Sequence, residues 1–205
     1  GFSVDENRAD AMGLAMMMNT VYMMKKPTVA RVHGAAFAGG MGLVAACDIA
    51  LAAEEAEFCL SEVKLGLAAA TIGPYVVDAM GERQARRYFL TAERFGAAEA
   101  FRIGLVHDIV PMAELDASVD ALVGHLLAAS PAAIAASKEL IRSVARGAID
   151  QHMIAGTAAR IAAARASADG REGIRSFLEK RKPAWTIEKQ AAGAKEQKTR
   201  SRKKC

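Results

Sequence analysis

The chain has 205 residues, 52% hydrophobic and 24% charged, with 27 Lys and Arg against 23 Asp and Glu. That composition suits one core-forming domain, or one domain with an appendage, and excludes wholesale disorder. Charges interrupt every apolar run, so none reaches the length of a bilayer span.

Three cysteines (Cys47, Cys59, Cys205) without CxxC spacing point to a reducing, intracellular compartment and away from a zinc knuckle. The opening residues Gly1 to Glu6 do not read as a secretory signal. Residues 6–24 read as an amphipathic helix, with Met12, Met16, Met17, Met23 and Met24 expected to pack against a neighbour, and Pro27 ends it. Thr28 to Val32 is a β-branched run that reads as a strand. Residues 34–42 are rich in Gly and Ala, and 42–47 look helical. Residues 49–52 form a second strand and 56–60 a short third. Strand, short helix and strand in succession give an α/β layer.

Beyond Gly66 the pattern turns helical: 71–80 closed by Gly81 as a C-terminal glycine, then 82–91 and 97–103, with 107–110 as one more strand. From Met112 the chain reads as helix at 112–129, 131–146, 149–168 and 170–181, Ser130 capping and Pro131 opening the second of these. The expected organisation is an α/β piece over 1–111, a helical piece over 112–187 and a tail over 188–205. From Lys180 to Cys205 there are ten basic residues against two acidic ones, which leaves the preceding body net −4. The tail is expected to be solvated and disordered, and contact with nucleic acid would depend on it.

Two features could carry chemistry. Gly39, Gly40 and Gly42 follow a strand and open a helix, where backbone N–H groups point outward at the positive end of the dipole. The turn is open to three readings. It could be an anion or oxyanion site, a tight strand–helix packing turn, or a dinucleotide fingerprint in which 40–45 match G-x-G-x-x-A with Glu62 downstream. The helix is too short for a full crossover, which weighs against the last. Glu62 sits between apolar stretches (Phe58 to Leu60, then Val63, Leu65 and Leu67), a setting that suits an acid/base carboxylate, unless Lys64, Arg83 or another cation pairs with it. His33 is expected to be a satisfied core residue, and His107, His125 and His152 lack metal-ligand spacing. Cys47 and Cys59 read as buried thiols.

The strings Val32-His33-Gly34-Ala35-Ala36-Phe37-Ala38-Gly39-Gly40 and Ala46-Cys47-Asp48-Ile49 resemble the signature of the enoyl-CoA hydratase/isomerase (crotonase) superfamily. The likeness continues through 61–67 and 104–106 and ends at 171–173 and 177–182. It is most like the bacterial methylglutaconyl-CoA hydratase branch. The resemblance implies a crotonase-like α/β spiral of stacked ββα turns followed by an α-helical trimerisation domain, in homotrimers or dimers of trimers. It implies an acyl-CoA substrate, with coenzyme A part of that substrate and no separate cofactor or metal. Gly39 matches the position whose N–H supplies half of an oxyanion hole, and Glu62 matches a catalytic glutamate. Phe37, Ala38, Gly40, Gly42 and Leu67 line the matched substrate region, and Phe177 and Lys180 fall where a neighbouring subunit's last helix contacts CoA.

Three departures stand out. Gly42 replaces a glutamate common in hydratases, so isomerisation by a single glutamate is the alternative chemistry, and a non-catalytic or RNA-binding relative is a third possibility. Ala38 replaces a glycine beside the oxyanion turn, and Ala68-Ala69-Ala70 replaces a stretch that commonly holds proline. The family's N-terminal strands, which carry the second oxyanion N–H, have no match in this sequence. The Ala-rich composition fits a cytoplasmic bacterial protein, with the mitochondrial matrix as the alternative.

Overall fold

The computed structural model describes residue 1 and residues 3–186, so the expected tail at 188–205 lies outside the described residues. Helix α1 (Val4–Met23) starts with a reciprocal cap: the Ser3 hydroxyl accepts from the Glu6 N–H, and the Glu6 carboxylate accepts from the Ser3 N–H. Its apolar residues lie on every side, so packing against one neighbour can bury only one line of them. Met18 is the buried one, and Met12, Met16, Met17, Met23 and Met24 are exposed, contrary to the expected packing stripe.

Strand β1 (Val29–Val32) is followed at once by a second strand, β2 (Ala35–Phe37), where the sequence pattern predicts only a Gly/Ala-rich turn. Alanines carry little strand signal, and backbone pairing decides the matter: Ala36 aligns with Phe58 and Phe37 with Cys59. Helix α2 (Gly39–Ala46) then opens three residues earlier than the apolar pattern predicts. Strands β3 (Ile49–Ala53) and β4 (Glu57–Cys59) repeat the β1–β2 arrangement. The Asp48 carboxylate fixes its register by accepting from both the N–H and the hydroxyl of Thr28, at 2.7 and 2.8 Å.

The two strands of each pair go to different sheets. Strand β1 pairs in parallel with β3, which pairs in parallel with β6 (Asp108–Val110). Strand β2 pairs in parallel with β4, whose other edge takes the antiparallel β5 (Phe95–Gly96). Every ββα unit therefore lays one strand on each sheet and its helix alongside, which is a spiral of stacked turns. It also removes the dinucleotide-binding reading, because the glycine turn follows β2 while the next strand, β3, belongs to the other sheet.

Helix α3 (Gly73–Thr91) bends at Gly81, whose φ of 76° and ψ of 154° are open to glycine and strained for other residues. The expected pair of helices meeting at Gly81 is therefore what the backbone shows, since Gly81 itself is not helical. Helix α4 (Ala97–Arg102) leads into β6. The core joins Met18, Met41, Phe58, Leu60, Ile72, Val76 and Tyr88, with Phe58 stacked on Phe95 at 5.6 Å between ring centroids.

Four further helices follow: α5 (Leu115–Ala128), α6 (Pro131–Val144), α7 (Gln151–Ala166) and α8 (Ala168–Leu178). The chain divides into two compact units between Ala121 and Leu122, inside α5, and not at the expected boundary of 111. The start of α5 belongs with the first unit because Leu115 is fully buried and Asp116 pairs with Arg31 of β1. In the second unit each turn into a helix has its cap: Ser130 for α6, Asp150 for α7 and Ser167 for α8.

Candidate active site

Parallel pairing of β2 with β4 brings their carboxyl ends side by side, and the Ala38 N–H extends the ladder to the Cys59 carbonyl at 2.9 Å. The segments leaving the two strands therefore emerge at the same edge, the place where α/β layers bind ligands. Beyond β2 lies the first turn of α2. Beyond β4 lies a 3-10 turn (Glu62–Leu65).

The α2 turn is held in an unusual shape. Ala38 has φ 48° and ψ −120°, a strained conformation for a residue with a Cβ, costing on the order of 1–3 kcal/mol. Its carbonyl accepts from the Gly42 N–H at 3.2 Å. The peptide linking Ala38 to Gly39 is planar and trans, so its N–H points opposite to that carbonyl. With the carbonyl turned into the helix, the Gly39 N–H is aimed out of the N-terminus, among the amides that have no partner within the helix. A Cβ built on Gly39 or on Gly40 would meet nothing within 4 Å, so the space beside this turn is open to a ligand.

Gly42 differs. A Cβ there would lie 2.2 Å from Ile72 Cγ2 and 2.6 Å from Ile72 Cβ, with Met18 Cε at 3.3 Å. Gly42 is buried, and its Cα face packs against Ile72 and Met18 of the core. The same contact means that no second carboxylate has room at this position while Ile72 is present.

Glu62 begins its turn and is half-buried. Its Oε2 is buried without a hydrogen-bond partner. An unpartnered buried carboxylate oxygen is expensive, and in a folded protein such atoms mark places where a ligand or a proton completes the set. The neighbouring cation does not satisfy it: Lys64 donates from Nζ to the Ala92 carbonyl at 2.9 Å, the oxygen that Cys59 Sγ also reaches at 3.5 Å. The loop is closed by the Leu67 N–H donating to the Glu62 carbonyl at 3.1 Å, with Gly66 turning the chain at φ 72°. Leu67 itself is exposed.

Phe37, half-buried at the end of β2, carries the Arg94 guanidinium over its ring at 5.0 Å, a contact between distant positions that no local signal announces. His33 is exposed, with Nδ1 3.0 Å from an Arg31 guanidinium nitrogen, and is not the core residue expected. A histidine that does serve the fold is His107, whose Nδ1 accepts from the Ala50 N–H at 3.1 Å. Cys59 is buried as expected, whereas Cys47 is only half so.

Phe177 and Lys180 belong to the second unit. Phe177 is 81% exposed on α8, and Lys180 adopts a left-handed turn at φ 53° just beyond it. That turn is clasped from below. The Arg181 guanidinium donates to both oxygens of Glu172, at 2.6 and 2.9 Å, and the Ala184 N–H adds a third bond. These donors hold the Glu172 carboxyl down at about 2, Arg181 contributing most, and the pairing raises Arg181 in turn.

An open amide turn and a carboxylate with an unpartnered oxygen thus follow adjacent strands at one edge of a ββα spiral, and that spiral is of the crotonase type. The sequence profile of the enoyl-CoA hydratase/isomerase family matches residues 8–188, and the chain belongs to that family. Among solved structures, an enoyl-CoA hydratase from Shewanella pealeana is 47% identical with a TM-score of 0.85, the alignment covering 90% of this chain and 69% of that one. The carnitinyl-CoA dehydratase of Salmonella typhi is 32% identical over 180 residues, 82% of this chain and 66% of that protein. The mitochondrial enoyl-CoA hydratase domain-containing protein 3 of Xenopus laevis is 32% identical over 173 residues, and the chain spans 58% of its length.

Proposed function

We propose that the protein hydrates a 2-enoyl-CoA thioester. The observation that carries this reading is the buried Oε2 of Glu62, which has no partner of its own. The thioester carbonyl accepts from the Gly39 N–H, which stabilises the enolate-like charge as it develops on that oxygen. Water adds its oxygen to Cβ while Cα gains a proton, and Glu62 serves as the acid/base group for this exchange. The names of the hydratase and dehydratase relatives support the reaction class. A branched dicarboxylic acyl group such as 3-methylglutaconyl-CoA, as in leucine breakdown, is the substrate proposed, on the strength of the resemblance around 42–50, 60–67 and 85–91 alone. The same resemblance supports a homotrimer or a dimer of trimers.

Loss of conjugated-thioester absorbance, monitored with a short enoyl-CoA and with 3-methylglutaconyl-CoA, tests the proposal. Turnover that disappears in Glu62→Gln supports it, and turnover that survives removes Glu62 from the mechanism.

A second reading, double-bond isomerisation by one glutamate, is favoured by a specific observation: Ile72 fills the room that a second carboxylate at 42 would need. Glu62 would then carry a proton between two carbons. Product formed in oxygen-labelled water separates the two, because hydration incorporates the label and isomerisation does not.

A further inference from the structure

We infer that Ile72 is a positioning residue that locks the Glu62 loop and the Gly39 turn into one rigid piece. The catalytic consequence rests on the proposed hydration, but the linkage itself does not. The Glu62 loop ends at Ile72, which stands immediately before α3 and binds that helix through its carbonyl, accepting from the Tyr75 and Val76 N–H groups at 3.1 Å. Its side chain, 1% exposed, is seated where Gly42 has no Cβ. The Gly42 N–H in turn donates to the Ala38 carbonyl at 3.2 Å, and that carbonyl shares its peptide plane with the Gly39 N–H. Four links therefore run from the carboxylate to the oxyanion donor: loop, Ile72 branch, Gly42 backbone, peptide plane.

The seat is shaped for a branch at Cβ. The atoms that crowd Gly42 are Ile72 Cβ and Cγ2, while Met18 Cε closes the remaining side. The two conservative substitutions therefore separate the seat from mere volume. Ile72→Leu keeps the apolar volume and moves the branch off Cβ. Ile72→Val keeps Cβ and both γ carbons and loses one methyl.

The test is amide hydrogen exchange on the full chain, read over 39–43 and 62–67, with kcat and KM for a short enoyl-CoA measured on the same samples. In Ile72→Leu, exchange is expected to rise in both segments together and kcat to fall roughly 10–100-fold with KM little changed, the loss that a small misplacement produces. Ile72→Val is expected to keep the protection of both segments even where its Tm drops. Leu105→Ala, at a buried position of the same core, is expected to raise exchange near β6 and leave 39–43 alone. Should Ile72→Leu raise exchange in one segment only, or in neither, the linkage is overturned. If both segments loosen and kcat in a hydrating enzyme stays at the wild-type value, the positioning role of Ile72 is overturned. Coupled exchange in a wild-type protein that hydrates nothing would leave the linkage standing and remove the hydratase reading.

Discussion

The two units of this chain are stabilised by opposite means. In the first, apolar side chains are buried and the polar contacts sit at the edges: Met18, Met41, Phe58, Leu60, Ile72 and Tyr88 are all within 1% of complete burial. In the second, the residues buried among those described are Ser130, Lys138 and Ser176, while Ile141, Ile149, Ile154, Ile161, Ile174, Phe177 and Leu178 face outward. Its helices are fixed by caps and ion pairs, notably Ser130 shared between the Ala133 N–H and the Asp169 carboxylate, and Glu172 clasping Arg181. The apolar interior of the first unit reaches the candidate site through Met18 and Ile72, which pack against Gly42 of the α2 turn. The second unit presents apolar surface instead, and such surface is what an interaction face is made of.

The largest effect that would sharpen this contrast is on rate. Glu62→Gln should lower the hydration kcat by roughly 10²–10⁴-fold without lowering the urea midpoint, because the buried Oε2 has no hydrogen-bond partner to lose. A fall in the midpoint would show that the carboxylate is structural. Next comes Phe58→Ala, which removes a fully buried ring stacked on Phe95. About 3–5 kcal/mol of unfolding free energy should be lost in urea titrations. Ser130→Ala in the second unit should cost about 1 kcal/mol by the same measurement, the worth of a lost cap. Equal losses at the two positions would break the comparison.

The pH dependence of the second unit follows from Glu172. Its folded carboxyl titrates at about 2, below its usual 4.5, so the clasp contributes stability above 4.5 and loses it as pH falls through about 2. The Tm difference between wild type and Glu172→Gln should be full near neutrality and close as pH falls across that window. A difference that stays constant would remove the carboxylate's charge from the explanation. The smallest effect expected is Ile149→Thr, within about 0.5 kcal/mol, because Ile149 is 88% exposed. A larger loss, dependent on protein concentration, would show the face to be covered in solution.

Much of the fold is legible in the sequence where period and punctuation agree. The α/β start, the helical remainder, the break at Gly81 and the Ser130–Pro131 cap all carry local signals. Strand β2 is not legible, because Ala35-Ala36-Phe37 has no strand pattern and exists through its parallel partner β4, about twenty residues away. Glu62 and Gly39 stand out by their spacing and neighbours. The part played by Gly42 does not, since a glycine inside a helix looks the same whether it admits a ligand or a core side chain. The distinction depends on Ile72, thirty residues on, and no local pattern names it. The methionines of α1 depart from expectation for a related reason: composition tells how apolar the helix is, but not how many neighbours it has.

The staple between Thr28 and Asp48 has a consequence for the order of folding. It joins residues 20 positions apart, whereas His107 meets Ala50 across 57. Closing the longer loop costs more entropy, so the first turn of the spiral is expected to wind before the β3–β6 seam can form. A lesion at Asp48 is therefore expected to slow the winding of the first turn, while one at His107 is expected to leave that step intact and delay the β3–β6 seam.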